Sequence, residues 1–157
     1  MAGAGTEAEM TDNATIARSM YDAFNSGDFD REAALWADEG VMTDIGSGQE
    51  YHGPEGSRQS NRLWAEAFPD GRVTVDRVVA AGPYVVVEFT GRGTHTGTLT
   101  SPAGSIPATG RSVTLQFCDV YEFRDGKARS RHTYFDSGSM MAQLGLAAGQ
   151  SQAAHQQ

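Results

Sequence analysis

An α+β fold follows from three features of the chain: helical periodicity confined to its first half, strand-like alternation through its second half, and no linker or repeat between them. Its 157 residues are enough for one domain core but short for two. Helices followed by a run of antiparallel strands predict helices packed on one face of a curved sheet. Such a sheet leaves a cavity at its open end, a natural place for a ligand. Residues 1–10, rich in Ala, Gly and Glu without periodicity, are expected to form a flexible lead-in, and 147–157 a loose tail. The folded domain is then 11–146.

A first helix is expected from an N-cap at Thr11 or Asp12 to Asn25, because Ile16, Met20 and Phe24 recur every fourth residue. Ala17, Tyr21 and Ala23 widen that stripe, and Ser26-Gly27-Asp28 ends it. Residues 31–37 read as a short helix with Leu35 and Trp36 inward, 40–44 as a short strand, and 46–56 as a Gly-rich loop. A third helix over 55–68 offers Leu63, Trp64 and Ala67 for packing. Beyond Pro69-Asp70-Gly71, strands are expected at 73–80, 84–94, 111–123 and 127–135, the last two joined by a tight Asp125-Gly126 turn. A loop spans 97–110, and Asp136 caps a final helix over 137–144 that Gly145 closes.

Composition excludes several function classes. A formal net charge of -8 argues against nucleic acid or an anionic membrane as partner. The single Cys118 cannot form an internal disulfide, and neither a secretory signal nor a long apolar run is present, so a soluble cytoplasmic protein is expected. His52, His95, His132 and His155 lack metal-ligand spacing, so no metal is expected. No phosphate-binding glycine motif and no nucleophile elbow occurs, and Cys118 lies on the outward parity of its strand. Metal and nucleotide chemistry by these routes has no support, and the expected cavity points to a small-molecule ligand.

Its chemistry is expected on the strand Val113–Phe123. The odd positions there are Val113, Leu115, Phe117, Asp119, Tyr121 and Phe123, an apolar face interrupted by one carboxyl. A buried acid must rise in pKa or find a cation, and a neutral one can donate to a developing oxyanion. The alternative for Asp119 is a structural ion pair with an arginine. Asp44 closes the short strand before Gly46, where a turn-capping role is the alternative to a chemical one. On the strand 127–135 two faces are open: Arg129, Arg131, Thr133 and Phe135, or Ser130, His132 and Tyr134. With the odd face inward, Arg131 is a cation beside the cavity. Tyr21, Phe24, Trp36 and Trp64 suit core and pocket wall for a bulky apolar ligand.

Six short motifs then recur in order: His52-Gly53-Pro54-Glu55-Gly56, Ala67-Phe68-Pro69-Asp70, Gly93-Thr94-His95-Thr96-Gly97, Pro107-Ala108-Thr109-Gly110-Arg111, Asp125-Gly126-Lys127 and Gln143-Leu144-Gly145. In these the chain resembles the SnoaL-like polyketide cyclases, or ester cyclases, of the NTF2-like superfamily, over residues 12 to 146. The resemblance implies an NTF2-like cone with an internal pocket, no cofactor, and a homodimer or higher homo-oligomer. In the anthracycline cyclases of this family the acid/base Asp falls at Thr133, a pocket His at Asp119 and a pocket Asn near Met42, so that constellation is not reproduced. In the ketosteroid isomerases of the same fold the base falls at Asp44 and the oxyanion-hole Asp at Asp119. Their helix-one Tyr falls at or beside Met20, one residue from Tyr21.

The expected function is therefore acid/base proton transfer, a cyclisation or isomerisation of a small, largely apolar carbonyl compound. Asp44 and Asp119 are the expected catalytic pair, with Tyr21, Trp36, Trp64, Phe117, Tyr121, Arg131, His132, Thr133 and Phe135 against the substrate. Epoxide opening by Asp119, Arg131 and Asp44 is an alternative, as is a ligand-binding protein without chemistry.

Overall fold

The computed structural model describes residues 6–101 and 104–146. Of the flexible start expected over 1–10, residues 1–5 lie outside the described residues and 7–10 are helical, while the loose tail at 147–157 lies outside them. The element order is α1 (Glu7–Ser26), α2 (Phe29–Ala33), β1 (Trp36–Asp44), β2 (Glu50–His52), α3 (Gly53–Ala67), β3 (Arg72–Ala81), β4 (Tyr84–Thr94), β5 (Leu99–Ser101), β6 (Gly104–Ile106), β7 (Ser112–Arg124), β8 (Lys127–Phe135) and α4 (Ser137–Gln143). Six strands form one sheet in the order β2-β1-β8-β7-β4-β3, and β5 with β6 makes a separate hairpin. The fold is α+β, with N-terminal helices on a curved sheet, as expected.

Four local readings need correction. α1 starts at Glu7, because Thr6 accepts from the Glu9 N–H while the Glu9 side chain accepts from the Thr6 N–H. This capping box extends the helix back beyond its apolar stripe. The second helix stops at Ala33, since Leu35 and Trp36 already join the sheet: the Leu35 carbonyl accepts from Ala128 N–H and Trp36 pairs with Ala128. The Gly-rich loop contains β2, and the loop 97–110 contains the β5–β6 hairpin.

The sheet is mixed rather than wholly antiparallel. β1 runs parallel to β8, while the other neighbours pair antiparallel. A hairpin turn joins β7 to β8 through Asp125 and Gly126, at φ 52° and 75°, the left-handed conformation that Asp-Gly tolerates.

Two hydrophobic clusters lie on the inner face. One joins Ala17, Met20 and Tyr21 of α1 to Trp36, Met42, Val85, Val87, Phe89, Tyr121 and Phe123. The other joins Ala67 and Phe68 to Leu99, Val113, Leu115, Met140 and Leu144. Partly buried Phe117 packs against both. Among the described residues no helix is long and apolar enough to cross a membrane.

Candidate active site

Strand register decides which side chains meet. Residues paired across neighbouring strands project to the same face. The buried Val85, Val87 and Phe89 mark the inner face of β4. Tyr51, Met42, Arg131, Tyr121 and Val85 then form one inward row across β2, β1, β8, β7 and β4. Asp44, Thr133, Asp119 and Val87 form the next, and Phe135, Phe117 and Phe89 the one after. The odd parity of β8 is therefore inward, which leaves a cation, Arg131, and a neutral hydroxyl, Thr133, beside Asp119.

Asp119 is only 2% exposed. The Tyr21 hydroxyl donates to its Oδ2 at 2.6 Å, and the Thr133 hydroxyl donates to its Oδ1 at 2.6 Å. Tyr21 reaches it from α1, and its hydroxyl also lies 2.9 Å from that of Tyr121. Burial first, and then the neighbouring Asp119, hold the Tyr21 phenol well above its ordinary range, so it remains a proton-bearing donor. Burial likewise pushes the Tyr121 phenol up.

Arg131 lies on this floor with its guanidinium carbon 5.7 Å from the centroid of the Trp36 ring. Burial works against its charge, but Asp119, Tyr121 and Glu32 around it more than compensate, and its pKa lies above the ordinary guanidinium value. Its Nε is buried with no hydrogen-bond partner among the described residues, and the same holds for Asn61 Nδ2. No carboxylate lies within ion-pairing distance of Arg131 among the described residues.

These groups border one cavity of about 120 Å³ under the helices. Arg131, Asp119, Thr133, Tyr21, Glu32 and Asn61 supply most of its polar lining, with Ser60, Arg72 and Arg92 beside them. Trp64, Phe68, Phe89, Phe117, Val113 and Leu115 are among its apolar walls. The rings of Phe89 and Phe117 stack with centroids 4.8 Å apart, and Trp64 meets Phe117 edge-on at 6.0 Å. Gly91 faces inward where an added Cβ would come within 3.0 Å of the Phe117 ring, so the missing side chain makes room for that wall.

The expected site residues divide three ways. Tyr21, Trp64, Phe117, Asp119, Arg131 and Thr133 line the cavity together. Trp36, Tyr121 and Phe135 stand behind it, Trp36 under Arg131, Tyr121 against Tyr21 and Phe135 against Trp64. Asp44 and His132 do not line it. Asp44 shares the inner face but lies two strands from Asp119, and its Oδ1 accepts from the Gly46 N–H at 3.0 Å, the turn-capping arrangement. His132 is exposed on the outer face, since side chains alternate and Arg131 and Thr133 point inward.

Sequence reasoning missed Glu32, on α2. It is 4% exposed, lines the cavity, and receives one long hydrogen bond from the Ser57 hydroxyl at 3.4 Å. Burial pushes its carboxyl up to about 7, with Arg131 pulling the other way and Asp119 adding to the rise. The local sequence Asp28-Phe29-Asp30-Arg31-Glu32 reads as a solvated charged face, which hid it. Asn61 was missed for a similar reason, as one polar residue in a largely polar helix turn. No cluster of potential metal ligands occurs among the described residues.

Comparison with known proteins agrees with this architecture. No curated protein matches the chain. Among solved structures it is similar to a protein described as a putative SnoaL-like polyketide cyclase from Jannaschia sp. CCS1, with 20% identity, 90% of this chain and 97% of the other covered, and a TM-score of 0.77. It is also similar to IdmH, described as a putative polyketide cyclase, from Streptomyces antibioticus, with 28% identity, coverage of 85% and 98%, and a TM-score of 0.70. An LEH-like epoxide hydrolase from M. tuberculosis matches at 23% identity, with coverage of 87% and 91% and a TM-score of 0.66. The family model for SnoaL-like polyketide cyclases matches residues 14–144, which hold both hydrophobic clusters, apart from the flanking Leu146, and every residue of the cavity. The chain belongs to the SnoaL-like polyketide cyclase family.

Proposed function

We propose that this protein is a cofactor-independent enzyme that moves a proton beside the carbonyl group of a small, largely apolar compound, closing a ring or shifting a double bond. One observation carries the reading: two buried N–H groups without partners, Arg131 Nε and Asn61 Nδ2, belong to residues lining one aromatic-walled cavity that also holds buried carboxyls. Unpaired buried donors are costly and call for an acceptor. A substrate carbonyl oxygen is such an acceptor, and it draws the donors more strongly as it gains negative charge in the transition state.

Asp119 takes a supporting part in this scheme. Both its oxygens already accept from Tyr21 and Thr133, so we assign it a place beside Arg131, whose charge it favours, in place of a donor to the substrate. Exposed Val79, Tyr84 and Tyr134 on the outer sheet face support the homodimer that the family resemblance implies.

The experiment is exchange of the α-protons of 2-tetralone, a bicyclic apolar ketone, followed by proton NMR in deuterated water. The wild type is expected to exchange them faster than buffer, and Arg131→Gln to lose about a hundredfold or more of that rate. Exchange no faster than buffer refutes the proton-transfer reading and leaves a binding role in its place. The grouping of two carboxyls with Arg131 favours epoxide opening as the second reading; hydrolysis of styrene oxide without ketone exchange would select it.

A further inference from the structure

Proton transfer at carbon needs a base that can hold a proton and give it back. Asp44, which the family resemblance points to, is tied to a turn outside the cavity lining. Asp119 has both oxygens engaged. We infer that Glu32 is the catalytic base and acid of this site, carrying the proton between substrate atoms; the inference rests on the proton-transfer reading above.

The geometry argues for Glu32 on three counts. Its neighbours on α2, Asp30 and Arg31, are exposed, yet Glu32 turns inward and is 4% exposed. A buried carboxyl is usually held by several donors or by a direct ion pair. Glu32 has one hydroxyl, Ser57, at 3.4 Å, and no cation within ion-pairing distance among the described residues. The arrangement stabilises the fold poorly and leaves the carboxyl free to meet a ligand, since it also lines the cavity. The groups that face it are Ser57 from α3, Arg131 from β8, and Asp119 and Tyr121 from β7. Among them Arg131 is the cation, so an ionised Glu32 is tolerable beside it and a neutral one is not forbidden. Burial that brings its titration to about 7 agrees with that balance and suits a proton carrier at neutral pH.

The step balances without an oxidant or co-reactant. The Glu32 carboxylate takes an α-proton; the C–H bond breaks, an O–H bond forms on Glu32, and the electron pair enters the enolate held by Arg131. The enolate then either regains the proton from Glu32 at another carbon, which shifts a double bond, or attacks a second carbonyl of the same molecule. In the latter case a C–C bond closes the ring and Glu32 returns its proton to the new alkoxide.

Two measurements test this on the full chain. Carbon-13 NMR of labelled glutamate carboxyls, assigned with Glu32→Gln, is expected to show Glu32 titrating near neutral pH and rising further in Arg131→Gln. An ordinary carboxylate titration at Glu32 overturns the inference. In the 2-tetralone exchange assay Glu32→Gln is expected to lose 10²–10⁴-fold, and the wild-type rate is expected to fall on the acid side of neutrality, a limb absent from the residual rate of the variant. A variant that exchanges at the wild-type rate overturns the inference while leaving proton transfer intact, and a slow Asp44→Asn alongside it assigns the base to Asp44. A wild type that exchanges no faster than buffer overturns the underlying reading and this inference together.

Discussion

Glu32 contributes to the fold's pH dependence as well as to its proposed chemistry. In the unfolded chain its carboxyl titrates near 4.5, and in the fold near 7, because burial favours the neutral form. The folded chain therefore holds a proton that the unfolded chain has lost between those values, and this stabilisation disappears as pH rises through about 7. At 1.36 kcal/mol per pKa unit, the ionised Glu32 weakens the fold by about 3 kcal/mol above neutrality. Urea unfolding at about pH 8 is expected to show Glu32→Gln more stable than the wild type by up to that amount, with the difference shrinking towards about pH 4. Equal stabilities at both values would mean that Glu32 is solvated in the native protein.

At the scale of elements, two carboxamide side chains finish the sheet where strands run out. The Asn25 amide donates to Val73 O and its carbonyl accepts from Val73 N–H, both at 2.8 Å, which joins the end of α1 to the edge strand β3. Gln143 of α4 does the same for Thr114, at 2.8 and 3.0 Å, on the part of β7 that extends past β8. Each imitates a strand neighbour for one residue. Gln143→Ala removes two such bonds from a partly exposed position and is expected to cost about 1–2 kcal/mol in urea unfolding. No change would show that water replaces the amide fully.

The same scale explains what the sequence could and could not reveal. The motifs that carried the family resemblance are joints of the fold. Asp70 accepts from the Thr94 N–H and hydroxyl, at 2.7 and 2.8 Å. Buried His95 holds Thr109 through Nδ1, accepting from its N–H at 3.2 Å. Gly97 donates to the Ala67 carbonyl at 3.1 Å, where an added Cβ would overlap the Glu66 carbonyl oxygen. Asp125-Gly126 makes the hairpin and Gln143 the sheet end. Joints demand particular residues at fixed local spacing, so they show in one sequence. The cavity groups come from α1, α2, α3, β3, β4, β7 and β8, far apart in the chain, and no local spacing marks them. Asp119 was legible because it interrupts an apolar alternation. Glu32 was not, because it sits among charges, and the role suggested for Asp44 came from aligned neighbours whose turn here binds the carboxylate instead.

Over the whole molecule, a chain of net charge -8 keeps the Arg131 guanidinium on the cavity floor, flanked by carboxyls yet ion-paired to none among the described residues. Helices from the first half bring the phenol, the amide and Glu32, and the second-half strands bring Asp119, Arg131 and Thr133. On the reading proposed above, this enclosure stabilises negative charge on an oxygen placed in it. The direct measurement is the ionisation of bound 4-nitrophenol, whose phenolate resembles an enolate and absorbs visibly apart from the phenol. The bound form is expected to ionise at lower pH than the free one, and Arg131→Gln is expected to abolish this displacement. Binding as the neutral phenol, with ionisation shifted to higher pH, would contradict it.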